Sequence, residues 1–153
     1  MRRTVRSSDP AFTSIHAIAE LDSVLPETDL LVMALPSTAE TVGILSRERI
    51  ALLPDSAFVV NVGRGTAIDQ EALCDALNAG RLAGAALDVV VPEPLPADHP
   101  LRRAKNLLLT PHVAGNMTLG YTCERNVQLF CENLENYAAG RPMHHLVDRR
   151  KGY

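Results

Sequence analysis

The apolar residues of this chain fall into short blocks whose spacing alternates between helical and extended periods. In residues 17–25, Ile18, Leu21, Val24 and Leu25 recur at helical spacing. Residues 29–35 are a continuous apolar run, the pattern of a parallel strand covered on both faces. Ser46 caps a short helix that runs through Leu53 and is stopped by Pro54. The next strand spans 56–62. Asp69 then caps a helix to Asn78 with Ala72, Leu73, Ala76 and Leu77 on its apolar side, and Gly80 ends it. Residues 82–90 and 106–109 read as two more strands, and 92–100 between them, with four of the ten prolines, as a rigid loop. Thr118 opens a long helix to Ala139, with Gly140 and Pro142 beyond it, and 143–153 is a charged, irregular tail. Strands alternating with helices predict an α/β fold of βαβ units around a parallel sheet. Residues 1–14 are basic and polar and the first convincing strand starts at 29, so the pattern enters its fold part-way.

Composition narrows the class. At 153 residues the chain can carry one real core and is too short for two ordinary domains. An apolar content of 46% excludes a disordered chain. No apolar stretch reaches the roughly 18 residues a membrane span requires. A net charge of −3 gives no electrostatic reason to expect nucleic acid as a partner. Arg2, Arg3 and Arg6 are not followed by an apolar signal core, so a cytoplasmic location is expected. Cys74, Cys123 and Cys131 lack metal-type spacing and are expected to be reduced, mostly buried thiols. The five histidines form no metal pattern either, and no metal site is expected.

Three predicted strands run directly into chemically useful side chains. The strand at 56–62 leads into Gly63-Arg64-Gly65, the strand at 82–90 into Pro92-Glu93-Pro94, and the strand at 106–109 into Thr110-Pro111-His112. Open α/β sheets bind ligands at the carboxyl ends of their strands. Gly63-Arg64-Gly65 is not a dinucleotide fingerprint, because G-x-G-x-x-G needs a small residue where Ile68 stands. No other G-x-G occurs, so the phosphate-cradling loop is absent from the sequence. Arg64 alone fits a surface turn, Glu93 a solvated loop and His112 a structural histidine. Together they fit another chemistry. A carboxylate beside a histidine raises its pKa above the usual value of about 6.5, giving a proton donor near neutral pH. A flanked arginine grips a carboxylate and polarises a carbonyl oxygen. The set suits reversible hydride transfer between a 2-hydroxy acid and a 2-oxo acid.

Leu31-Val32-Met33-Ala34-Leu35-Pro36-Ser37-Thr38-Ala39-Glu40-Thr41, Asn61-Val62-Gly63-Arg64-Gly65, Leu87-Asp88-Val89 with Pro92-Glu93-Pro94-Leu95, and Thr110-Pro111-His112-Val113-Ala114-Gly115 follow one another along the chain. In kind and order they resemble the D-isomer-specific 2-hydroxyacid dehydrogenases, over nearly the whole chain. The resemblance implies a partial Rossmann-type parallel sheet with flanking helices, lacking the first strands and the G-x-G-x-x-G loop. It implies a nucleotide-binding portion at 1–139, including the helix 118–139, and a tail at 140–153 returning to a substrate domain. Arg64 would bind substrate, His112 act as general acid/base, and Glu93 tune His112. Leu35, Pro36, Val62, Gly63 and Asp88 would line the cofactor cleft, with Asp88 at the nicotinamide carboxamide and Gly115 as a further contact.

The implied cofactor is NAD or NADP. Arg2 and Arg3, just after the position of the second Rossmann strand, lean toward NADP, and Arg3 is the candidate 2′-phosphate contact. The implied substrate is a small 2-oxo or 2-hydroxy acid, and intact relatives are expected to be homodimers. The tail 147–153 resembles the family's usual C-terminus, with no regulatory domain after the long helix, which favours the hydroxypyruvate/glyoxylate reductase type. The family's substrate half and glycine-rich loop precede the region seen here, so turnover by this chain alone is expected to be slight. The alternative is a non-catalytic nucleotide-binding or regulatory protein on the same fold.

Overall fold

The computed structural model describes residues 10–115 and 119–150. The chain divides into two compact units, Met1–Pro111 and His112–Tyr153. This division places the long helix with the tail, whereas the expected limits of 1–139 and 140–153 place it with the sheet.

The first unit is an α/β layer. Its four strands are β1 (Leu30–Met33), β2 (Phe58–Asn61), β3 (Gly84–Leu87) and β4 (Leu107–Leu109), all parallel, in the order β1-β2-β3-β4. A 3-10 turn at Ile18–Glu20 leads into α1 (Leu21–Val24), so the helical block at 17–25 is only partly α-helical. The helix after Ser46 is α2 (Arg47–Ile50), with the Ser46 hydroxyl accepting from the Arg49 amide. The helix after Asp69 is α3 (Gln70–Asn78), capped as expected by the Asp69 carboxylate accepting from the Ala72 amide at 2.9 Å. Gly80, at φ +71, supplies the left-handed residue that ends it.

Each step along the sheet goes to the next strand in the same direction. Right-handed crossovers then stack every connection on one face. Val59 and Leu87 are buried on that face, in a core shared with Leu25, Ile50, Leu73 and Leu77, and Asn61 is buried there as well. The other face is open. Leu30 and Phe58 pair across it, as do Val32, Val60, Ala86 and Leu108. Leu30, Val32, Phe58 and Leu108 are between 50% and 62% exposed. An open hollow of about 540 Å³ lies over this face. The apolar run at 29–35 is therefore not covered on both sides: β1 alternates between Met33, buried, and Val32, exposed.

In the second unit, α4 (Gly120–Ala138) ends before Gly140 at φ +66. The Asn133 side chain ties the tail back to it, accepting from the His144 amide at 2.7 Å and donating to the His144 carbonyl at 3.0 Å. Thr118, expected to open this helix, lies outside the described residues. Cys74 is buried but Cys123 and Cys131 are exposed, which corrects the expectation of mostly buried thiols. Among the described residues no helix is long and apolar enough to cross a membrane.

Among the described residues β1 has no strand beyond it, and its Leu30 and Val32 side chains are exposed and apolar. Unprotected apolar edges recruit further strands. The purified 153-residue chain should therefore self-associate as concentration rises, with Val32→Lys reducing the effect. Light scattering that shows a clean monomer at high concentration would contradict this.

Candidate active site

The carboxyl ends of the four strands lie at one end of the sheet, and the candidate residues of the first unit sit in the loops that leave them. The central feature is the turn after β2. Asn61, its last residue, is 1% exposed. The Asn61 Oδ1 accepts from the Gly63 amide at 3.0 Å, and its Nδ2 donates to the Arg64 carbonyl at 2.9 Å. One buried carboxamide thus closes the turn from both sides, which an aspartate or leucine at that position cannot do. Arg64 itself is extended (φ −140, ψ 138) and exposed. Its guanidinium donates to the Gly63 carbonyl at 2.7 Å.

The two glycines are explained by their neighbours. A β-carbon on Gly63 would stand 2.6 Å from the Leu35 nitrogen, in the loop after β1. A β-carbon on Gly65 would stand 2.4 Å from the Val90 carbonyl carbon, in the loop after β3. The space beside each glycine is therefore occupied by the backbone of a flanking loop. A hydroxyl pair, Ser37 with Thr66 at 3.2 Å, adds a further link between the loops after β1 and β2. Leu35 and Pro36 lie in the β1 loop, held by Thr41, whose hydroxyl donates to the Pro36 carbonyl at 2.6 Å. Val62, which precedes Gly63 in the chain, is 40% exposed.

Beyond β3, Asp88 is 6% exposed and accepts from the Thr110 hydroxyl at 2.5 Å. The Glu93 carboxylate turns back to accept from the Val90 amide at 2.9 Å. Val91, between them, is gripped by the Gln70 side chain, which accepts from its amide at 2.8 Å and donates to its carbonyl at 2.5 Å. The first unit therefore brings Leu35, Pro36, Val62, Gly63, Arg64, Asp88 and Glu93 to its strand ends. His112 and Gly115 belong to the second unit, where His112 is exposed with a left-handed backbone at φ 54. Arg3 lies outside the described residues.

Residues 1–114 match the family described as D-isomer specific 2-hydroxyacid dehydrogenase, NAD binding domain. The chain belongs to this family. A glyoxylate/hydroxypyruvate reductase A of Klebsiella pneumoniae strain 342 is 39% identical over 148 residues, which are 97% of this chain and 46% of the relative. The chain thus spans about half the length of the curated relatives it matches. A D-isomer specific 2-hydroxyacid dehydrogenase of Xanthobacter autotrophicus Py2, solved with NADPH and MES, is 36% identical, with a TM-score of 0.86 over 97% of this chain and 60% of that one. An NADPH-dependent glyoxylate/hydroxypyruvate reductase of Sinorhizobium meliloti, solved with NADP and sulfate, is 31% identical, with a TM-score of 0.80 over 90% of this chain and 44% of that one.

Three residues at or beside the strand ends carry no role in the sequence reading. Asn61 and Thr110 hold candidate residues through side-chain hydrogen bonds, and Gln70 holds Val91, between Asp88 and Glu93. The one available signal was Asn61, since asparagine closing a turn on the backbone two residues on is a known device. Gly65→Ala tests the wedge. Overpacking against backbone should lower stability by about 1–3 kcal/mol, read as a lower urea midpoint with an unchanged slope. An unchanged midpoint would mean that Gly65 and Val90 are not in contact.

Proposed function

We propose that this chain carries the substrate-arginine and acid/base portion of an NAD(P)H-dependent reductase of small 2-oxo acids, of the hydroxypyruvate/glyoxylate type. The observation that carries the reading is the exposed Arg64 on a turn fixed by Asn61, with Asp88 and the Glu93 loop beside it at the strand ends. The reductase named for the Klebsiella relative and the NADP(H) in two structural neighbours support it. The domain limits 1–139 and 140–153 belong to the same reading.

The residues present fit the nicotinamide end of the cofactor. Asp88, nearly buried and oriented by Thr110, has the acceptor chemistry that a carboxamide requires. Leu35, Pro36, Val62 and Gly63 supply apolar surface and backbone for the cleft wall, with Gly115 as a further contact. The sequence holds no phosphate-cradling glycine loop, so the fit covers that end only. Arg3, the candidate contact to a 2′-phosphate, leaves NAD and NADP both open, with NADP favoured.

A bound reduced nicotinamide supplies the hydride for the keto carbon. Arg64 binds the substrate carboxylate through its planar fork and stabilises charge developing on the carbonyl oxygen. His112 delivers the proton to that oxygen, and Glu93 is assigned to the same proton-transfer step. Intact proteins of this type are proposed to act as homodimers.

Alone, the chain should bind NADPH weakly and turn over little, because the phosphate loop and substrate half are outside its sequence. A hybrid in which this chain replaces the 148 matched residues of the Klebsiella relative should reduce glyoxylate or hydroxypyruvate with NADPH. His112→Ala in that hybrid should lower kcat about 10²–10⁴-fold, and Arg64→Ala should raise KM and lower kcat together. A hybrid that binds NADPH tightly, turns over nothing, and is indifferent to His112→Ala would instead mark a non-catalytic nucleotide-binding protein.

A further inference from the structure

Two loops of the first unit must hold a fixed relation for the proposed chemistry to work: the Arg64 turn and the loop that carries Glu93. Three contacts join or brace them. Gly65, next to Arg64, packs directly on the Val90 backbone. Five residues further on, Gln70 opens α3 and reaches across to Val91, 21 positions away in sequence, with one hydrogen bond in each direction. At the far side of the loop, Arg102 donates to the carbonyls of Leu95 at 2.5 Å and Pro96 at 2.8 Å. Glu93 lies between these two braces, and its carboxylate accepts from Val90, the residue before the Gln70 grip. The Gln70 end of this bracing grows from the segment that contains Arg64. Asp69 caps α3, and its amide is also bound to the Leu45 carbonyl at 3.0 Å, so the Gln70 backbone stands on a fixed base.

We propose that Gln70 is a positioning residue, whose carboxamide locks the Val90–Glu93 backbone in register with the Arg64 turn. The chemistry requires an amide. A carboxamide both donates and accepts and so satisfies the carbonyl and the amide of Val91 together, whereas an ionised carboxylate only accepts. A glutamate at this position meets the Val91 carbonyl with a second acceptor until it is protonated. The inference rests on the reductase reading for the importance of Arg64 and Glu93. Its test needs no turnover, so failure of one is distinguishable from failure of the other.

The experiment is hydrogen exchange, followed by mass spectrometry, on the full 153-residue chain and two variants, with protection corrected for intrinsic rates at each pH. Gln70→Met keeps the length and apolar stem but removes both hydrogen bonds. It should lower protection of the 90–93 segment at least tenfold, while peptides covering β2 stay within twofold of the parent and report an intact fold. Gln70→Glu should lose protection at pH 7, though less than Gln70→Met because its carboxylate still accepts from the Val91 amide. It should regain protection as pH falls through the ordinary glutamate range near 4.3, because only the protonated acid also donates to the Val91 carbonyl. The parent should show no gain of protection as pH falls. Local protection in Gln70→Met within twofold of the parent would overturn the proposal, as would pH-independent protection in Gln70→Glu.

Discussion

Gly63 and Gly65 admit the backbones of two neighbouring loops to distances at which no β-carbon can stand, and the arrangement of the strand ends follows from that contact. Parallel pairing of β1, β2 and β3 in register places the loop after β2 between the other two. The turn there must be narrow on both sides. Asn61 supplies its closure with two hydrogen bonds, each worth about 0.5–1.5 kcal/mol net. The larger consideration is what happens without them. An apolar side chain at that buried position leaves the Gly63 amide and the Arg64 carbonyl to find new partners, at about 1–3 kcal/mol for each that stays unsatisfied. The geometry at Arg64 is thus set mainly by the cost of the alternatives.

Much of this fold is visible in the periodicity. All four strands and the caps at Ser46 and Asp69 follow from spacing and local chemistry, because both depend on residues within one or two turns of each other. The burial of β1 did not follow. Leu30 and Val32 are as apolar as Leu31 and Met33, so composition suggests cover on both faces. Cover is decided by where the connections run, and four strands laid down in one direction put every connection on the same face. A doubly covered sheet needs a reversal of strand order that these four strands do not contain.

The site divides along the same line. Arg64, Asp88 and Glu93 stood out as candidates because each ends or follows a strand, which is a local property. Gln70 and Thr110 were not, because their partners are 21 and 22 positions away and their role exists only once β2, β3 and β4 are side by side. A polar residue that acts on a distant backbone leaves no periodic trace. The glycines were visible in the sequence, and the structure supplies their reason: they serve the packing of loops, and neither has a left-handed backbone.

That reason changes what the motif can say about function. Asn61, Gly63 and Gly65 are required by the way three loops meet, and the fold alone would keep them. Arg64 is different. Its side chain is exposed, and its one hydrogen bond to a described residue goes to the carbonyl of its own turn. A smaller polar residue there would leave the Asn61 closure and both glycine contacts intact, since those involve only the backbone at position 64. Among the described residues, the guanidinium's structural part is one hydrogen bond within its own turn, and no other loop depends on it. The case for chemistry at the strand ends therefore rests on Arg64, and the residues around it show how firmly the fold would hold that arginine in place.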